Sequence, residues 1–415
     1  MAACMWLYVQ LVLVPYQKNQ GPMRQSPRGN LSDLYPRWLG ARELLLRHRD
    51  PYGADITVEN QIGYYGRPLD PSRPGDPKDE QGFAYPVYVV LLLAPTVKLS
   101  FATVHETFFW LLGILTATTI PLWARALGWR LSKSSIFTWI VLALSCFPAI
   151  QGLKLQQLSL LVGVFIAAAI AALVSRRFVL AGLLIGLATI KPQLVFLLVA
   201  FLAIWVLGNW RERQRALWSF AITIGVLVSA GEFLLPGWIT EFRRAMQEYY
   251  RYTGGGLSVL DVMLSPTWGR ITGALLVPML LIFLWINRKS REDSRAFQWS
   301  FCLTLATTLL VIPMFAPYNQ VLLLPALMMG VRAGRELRAK GRVSRFFCMI
   351  GAISVLWQFL AAACLVIALA FVPAVTVQKA WVLPLSLNFA IPITVYALLI
   401  AARDVLAEEG QASSA

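Results

Sequence analysis

From Phe178 to Gly208 the chain runs for 31 residues with a single charge, Lys191, near its middle. An ammonium at the centre of a bilayer-spanning helix costs roughly 2.5–3.5 kcal/mol. Lys191 therefore either has a task, for which holding a phosphate is the natural chemistry, or snorkels to the interface from a less central position. Other polar groups able to act are few. The connection "QGLKLQQLS" supplies Gln151, Lys154, Gln156 and Gln157, and "FAPYNQVLLLP" supplies Tyr318, Asn319 and Gln320. In "NLSDLYPRWLGARELLLRHRDPYG", Ser32 or Asp33 can cap a helix, and Arg37 stands four residues after Asp33, the spacing of a surface ion pair. Asp70, Asp76, Asp79 and Glu80 can attract a cation, but their proline-spaced setting lacks a metal-ligand constellation. Neither His48 nor His105 has a partner for a catalytic dyad, and no Gly-rich phosphate loop or Ser-His-Asp spacing occurs. The five cysteines lie inside apolar runs without paired spacing, as buried hydrophobes do. No metal and no cofactor is implied.

The elements that must position these groups are membrane helices. The chain is 58% hydrophobic and 14% charged over 415 residues, against about 25% charged for soluble domains. Its apolar runs are apolar all round, which excludes the alternating strands of a β-barrel. A net charge of +16 does not point to nucleic acid, because the basic residues collect in short loops. Five such loops, 125–134, 175–177, 209–215, 287–297 and 332–345, hold 18 basic and four acidic residues, which predicts that they are cytoplasmic. The spans then fall at 1–16, 102–124, 135–151, 157–174, 178–190, 192–208, 216–235, 269–287, 298–314, 318–331, 346–372 and 380–402. The expectation is a single all-α polytopic domain over 1–415 with about twelve spans and both termini cytoplasmic. Met1 to Tyr16 is short for a span, as a start placed inside the first helix would leave it. Residues 17–101 form a long first outer loop with interfacial helices, among them Ala84 to Leu99, bounded by Pro86 and Pro95; residues 236–268 form a second.

This topology bears on Lys191. Thirty-one residues reach about 46 Å as one helix, too long for one crossing and short for two. Two short helices meeting at Lys191-Pro192-Gln193 fit, with Pro192 favouring the break. Lys191 is then expected at the outer end of a hairpin. The segment 236–256 places Trp238, Phe242, Met246 and Tyr249 near helical spacing and ends at Gly254 to Gly256, an amphipathic helix on the same outer face. Pro68, Pro71, Pro74 and Pro77, three apart, predict an extended tether.

The arrangement resembles glycosyltransferase family 87 of the membrane-embedded GT-C superfamily. The likeness is carried by "SDLYPRWLGARELLLRHRDPY", "FAYPVYVVLLLAPTVKL", "LQQLSLLVG", "AGLLIGLATIKPQ" and "PYNQVLLLPAL". It implies a GT-C-like helical bundle in a plasma (bacterial inner) membrane, with its active site on the outer face. It implies transfer of a hexose from a polyprenyl-phosphate carrier to a glycan or glycolipid acceptor, with inversion. Asp33 matches the acidic residue that the first outer loop contributes in such enzymes and would be the general base. The resemblance further implies Lys191, with Lys154, at the donor phosphate, and Gln157, Gln193, Tyr318, Asn319 and Arg37 at sugar or acceptor. Mannose-transferring members carry a histidine in the late outer turn where this chain has Tyr318-Asn319-Gln320, so mannose is a default. Transport or flipping of a lipid-linked or small polar substrate is the alternative, although no internal repeat supports it. A scaffold role is a third.

Overall fold

The computed structural model describes residues 1–19, 29–70, 72–73, 75–253 and 255–407. Pro71 and Pro74 of the proline-spaced stretch and Gly254 of the expected helix stop lie outside the described residues. The chain opens with α1 (Ala2–Tyr8), a π-helical turn (Val9–Leu13) and α2 (Val14–Asn19). The polar segment that follows carries α3 (Tyr35–Arg47) and α4 (Ala54–Tyr65) and ends in α5 (Val89–Leu93). A run of apolar helices comes next: α6 (Phe101–Ala126), α7 (Lys133–Ser145), α8 (Phe147–Lys154), α9 (Leu158–Val174), α10 (Phe178–Ala188), α11 (Pro192–Gly208) and α12 (Trp210–Leu234). Then α13 (Trp238–Tyr252) and α14 (Val259–Leu264) lead to α15 (Pro266–Ile286) and α16 (Arg295–Val311). A 3-10 turn, Pro317–Leu323, precedes α17 (Leu324–Arg332), α18 (Gly334–Lys340), α19 (Arg342–Ala368), α20 (Ala374–Lys379), α21 (Ala390–Ala401) and α22 (Arg403–Leu406). No strand occurs among the described residues.

Among the described residues five elements are long and apolar enough to cross a bilayer: α6, α12, α15, α19 and the run Ala374–Ala401. The pair α7 and α8 makes a sixth if its 61° bend is counted within one span. The expected span 135–151 is this bent pair, because Pro148 opens α8 and removes an amide donor at the junction. Shorter apolar helices make up most of the other expected spans: Ala2–Gln17, α9, α10 and α11. The chain is thus a multi-pass helical membrane protein. The run 318–331 is the 3-10 turn and the nine-residue α17, each with a proline in its first turn. Its apolar residues Leu322, Leu323 and Met328 are buried in protein. The expected interfacial helix 84–99 is likewise only α5 and a 3-10 turn, Ala94–Thr96. Val89, Val90 and Leu93 are fully buried, and α5 packs against α3.

The bundle closes around α9 and α16, which are buried along nearly their whole length. α9 lies between α6 and α10, while α16 packs on α11, α15 and α21. The crossing of α10 with α12 is tight. A Cβ built on Gly182 would stand 2.1 Å from the carbonyl oxygen of Ala216, so only hydrogen fits there. Overpacking of this kind costs about 1–3 kcal/mol. Gly182→Val is therefore expected to lower the melting temperature of the detergent-solubilised protein. Gly225→Val, at a position with nothing within 4 Å, should leave it unchanged.

Candidate active site

The residues preceding α3 do not serve it as caps. Leu34 occupies the cap position with no side-chain bond of its own to the helix start, Ser32 Oγ accepts only from the Leu34 N–H (3.3 Å), and Pro36 lies in the first turn. Asp33 is instead fixed by its own backbone. Its N–H donates to the Leu155 carbonyl (3.0 Å), and the neighbouring Ser32 Oγ donates to Gln156 Oε1 (2.6 Å). These contacts dock the first polar loop onto the turn between α8 and α9. That turn is sharp: Gln156 adopts φ +47°, uncommon for a residue with a side chain. It delivers Gln157 to the start of α9, facing Asp33.

The Asp33 carboxylate accepts two hydrogen bonds, from Tyr64 Oη at 3.0 Å and from Gln157 Nε2. An ionised carboxylate has about four acceptor positions, so Asp33 keeps capacity for a further hydroxyl. The other end of the same amide faces a cation: Lys191 Nζ donates to Gln157 Oε1 (2.6 Å) and to Ser159 Oγ (2.7 Å). One glutamine therefore separates carboxylate from ammonium. The hairpin expected around Lys191 is present, with Lys191 between α10 and α11 and Pro192 opening the second helix. Tyr88 Oη fastens the turn by donating to the Thr189 carbonyl (2.9 Å).

Two aromatic rings cover the ammonium, Tyr318 at 5.2 Å and Tyr85 at 5.5 Å. Tyr85 is shared with Arg37, whose guanidinium lies 4.6 Å from the ring centroid. The expected i,i+4 ion pair is not what Arg37 forms: its Nη1 donates to the main-chain carbonyl of Asp33 (2.9 Å), and its Nε is buried without a partner. Arg37 and Lys191 are thus two cations beside one ring, each held by neutral groups. Such desolvated charges are favoured once an anion arrives. Burial, and next the Arg37 charge, lower the Lys191 ammonium from its usual 10.5 to about 7, with Asp33 acting in the opposite direction.

The remaining expected site residues divide. Tyr318 joins the centre through Lys191, and Gln193 is exposed on the rim of a cleft of about 240 Å³. Tyr85, Ile190 and Lys191 form that cleft's inner end, and Phe242 and Met246 of α13 its apolar outer end. The amphipathic reading of α13 holds, with Trp238 buried and Phe242, Met246 and Tyr249 half-buried on one face. Asn319 is buried with its Oδ1 unpartnered. Lys154 turns elsewhere, donating to Gln17 Oε1 (2.7 Å) at the end of the first helix. Sequence reasoning missed Tyr64, Tyr85 and Ser159. Tyr85 carried a signal, as it shares the FAYPV stretch with Pro86; Tyr64 had none within its own helix. Among the described residues no group of three or more His, Cys, Asp or Glu side chains converges to hold a metal ion.

The pattern of glycosyltransferase family 87 matches residues 83–313, more than half of the chain. This region contains Tyr85, Gln157, Ser159, Lys191 and the α13 cleft, while Asp33, Arg37 and Tyr318 flank it. No curated protein and no solved structure matches the chain. With its apolar helical bundle and the family match over most of that bundle, the chain belongs to glycosyltransferase family 87 and is a membrane glycosyltransferase of the GT-C type.

Proposed function

We propose that the protein transfers a hexose, mannose as the default, from a polyprenyl-phosphate carrier to a glycan or glycolipid acceptor at the outer face of the membrane. Asp33 takes the proton from an acceptor hydroxyl, whose oxygen attacks the anomeric carbon. The bond from that carbon to the phosphate oxygen breaks, polyprenyl phosphate departs, and the new glycosidic bond has inverted configuration. Lys191 and Arg37 offset the charge that develops on the leaving phosphate. Arg37 is thereby moved from the acceptor side to the phosphate, and Lys154, bonded to Gln17, is left out of the centre. The single observation that carries the reading is the Gln157 bridge, which sets a carboxylate and a buried ammonium at the two ends of one amide. The family match speaks against the transport and scaffold alternatives.

The direct test is reconstitution in liposomes with polyprenyl-phosphate-mannose and a panel of mannosides, following the carrier phosphate released. Release that depends on a mannoside is expected; transport of the carrier without cleavage would overturn the reading. A cysteine introduced at Gln193 should react with an impermeant thiol reagent from the outer side of right-side-out vesicles.

The binding step should also depend on pH. With the Lys191 ammonium lowered to about 7, the residue loses its charge as pH rises above neutrality. A phosphodiester prefers the ammonium form, so binding draws a proton from solution. Donor affinity is expected to fall by roughly tenfold per unit between pH 8 and 9. Calorimetry in buffers of different ionisation enthalpy should register the proton uptake, and Lys191→Arg, which stays charged, should flatten the profile. Of the charged groups beside Lys191, Arg37 opposes its charge and Asp33 favours it.

A further inference from the structure

Asp79 ends the proline-spaced stretch and takes no part in the chemistry above. That end of the stretch is anchored. Tyr65 Oη donates to the Asp79 carbonyl (2.8 Å), the Gln81 amide N–H donates to Asp79 Oδ1 (3.0 Å), and Gln61 Nε2 donates to the Glu80 carbonyl (3.1 Å). Further back, Arg67 pairs with Asp76. The Tyr252 hydroxyl at the end of α13 reaches the same turn, 3.9 Å from where a Cβ on Gly82 would stand, and favours the Asp79 carboxylate.

Consecutive tyrosines of α4 thus fix two acidic residues, Asp33 by its carboxylate and Asp79 by its main-chain carbonyl. Tyr64 holds Asp33 and Tyr65 holds Asp79, and the two rings meet edge to face at 4.8 Å. Asp33 is reached at Oδ2 by Gln157, the bridge to Lys191, and at Oδ1 by Tyr64, whose ring partner Tyr65 holds Asp79. Burial raises the Asp79 carboxyl above the usual range, and the Gln81 N–H and next Arg37 draw it back. Beside it stand the rings of Tyr249 and Tyr252, 5.4 Å apart and nearly perpendicular. A carboxylate set among aromatic rings suits a sugar, because it accepts from adjacent hydroxyls while the rings cover the C–H faces.

We propose that Asp79, Tyr249 and Tyr252 form the subsite for the acceptor, a hexoside whose attacking hydroxyl is presented to Asp33. The inference rests on the glycosyl-transfer reading and deepens it. With the carrier phosphate at the Lys191 end, an inverting displacement needs the acceptor on the opposite side of the anomeric carbon; Asp79 connects to Asp33 through Tyr65 and Tyr64, at the carboxylate oxygen not bridged to Lys191. Asp79 is here a positioning residue, since Asp33 takes the proton.

The test uses the full chain in nanodiscs and two probes bound separately, methyl α-mannoside and undecaprenyl phosphate. Asp79→Asn and Tyr252→Phe are each expected to weaken methyl α-mannoside binding at least tenfold in saturation-transfer NMR titrations. Both should leave undecaprenyl phosphate affinity unchanged, and Asp79→Glu should restore part of the mannoside binding. In transfer assays Asp79→Asn should raise the acceptor KM and leave the donor KM and the slow donor hydrolysis without acceptor as in wild type. Unchanged mannoside binding in both variants overturns the proposal, as does an equal loss of undecaprenyl phosphate affinity or failure of the wild type to bind methyl α-mannoside or its gluco epimer. Failure of the wild type to bind undecaprenyl phosphate counts instead against the glycosyl-transfer reading.

Discussion

Asp33→Asn is expected to lower kcat for sugar transfer by about 10²–10⁴-fold, the usual contribution of a positioned general base. The substitution keeps the shape of the side chain and an oxygen able to accept from Tyr64 or Gln157, the two groups that hold Asp33. It removes the capacity to take a proton. Its backbone anchor, the N–H to the Leu155 carbonyl, does not involve the side chain, so the loop should stay docked. Donor affinity, measured by binding of undecaprenyl phosphate, should consequently change by less than a few-fold. Retention of wild-type turnover would end the assignment of Asp33 as base. A large loss of donor affinity would return it to a purely structural part in fixing Gln157.

The second large effect is expected at the cation. Lys191→Met keeps the apolar stem and deletes the ammonium, and should weaken undecaprenyl phosphate binding by two orders of magnitude or more. Removing one partner of a desolvated charged contact typically costs about 2–5 kcal/mol. The same change orphans Gln157 Oε1 and Ser159 Oγ, which accept from Lys191. Ser159→Ala serves as the control: it removes one of those contacts without the charge, and its effect on affinity should be no more than several-fold. If Lys191→Met binds the carrier phosphate as tightly as wild type, the ammonium belongs to the snorkelling class. Arg37→Met should then show which cation holds the phosphate.

The parts of this site that could be read in the sequence are those that violate the apolar background. Asp33, one acid among several in the first polar loop, was singled out by the family resemblance; Lys191 stood out because nothing else in its run is charged. The hairpin was legible for the same reason, through chain length and Pro192. Relations between distant segments were not. Gln157 was one amide among several, and its part as a bridge depends on the left-handed turn at Gln156, which a glutamine codon does not advertise. Arg37 had a local partner at helical spacing, yet it bonds to the main chain of Asp33 and stacks on Tyr85, 48 residues away. The proline rhythm before Asp79 drew attention to extension and away from its tethered end. In the 318–331 run, composition does not distinguish apolar side chains facing lipid from those packed in protein, so a 3-10 turn and a short helix read as a crossing.

The brevity of α10 has a consequence for where the reaction happens. Its 11 residues extend only about 17 Å, little more than half the roughly 30 Å of a hydrocarbon layer. In the proposed topology the turn it carries lies below the plane of the surrounding lipid phosphates, and a carrier must descend to reach it or the bilayer must thin around the protein. Hydrophobic mismatch of this kind costs fractions of a kcal/mol per Å, which makes acyl-chain length a determinant of how readily the enzyme is loaded.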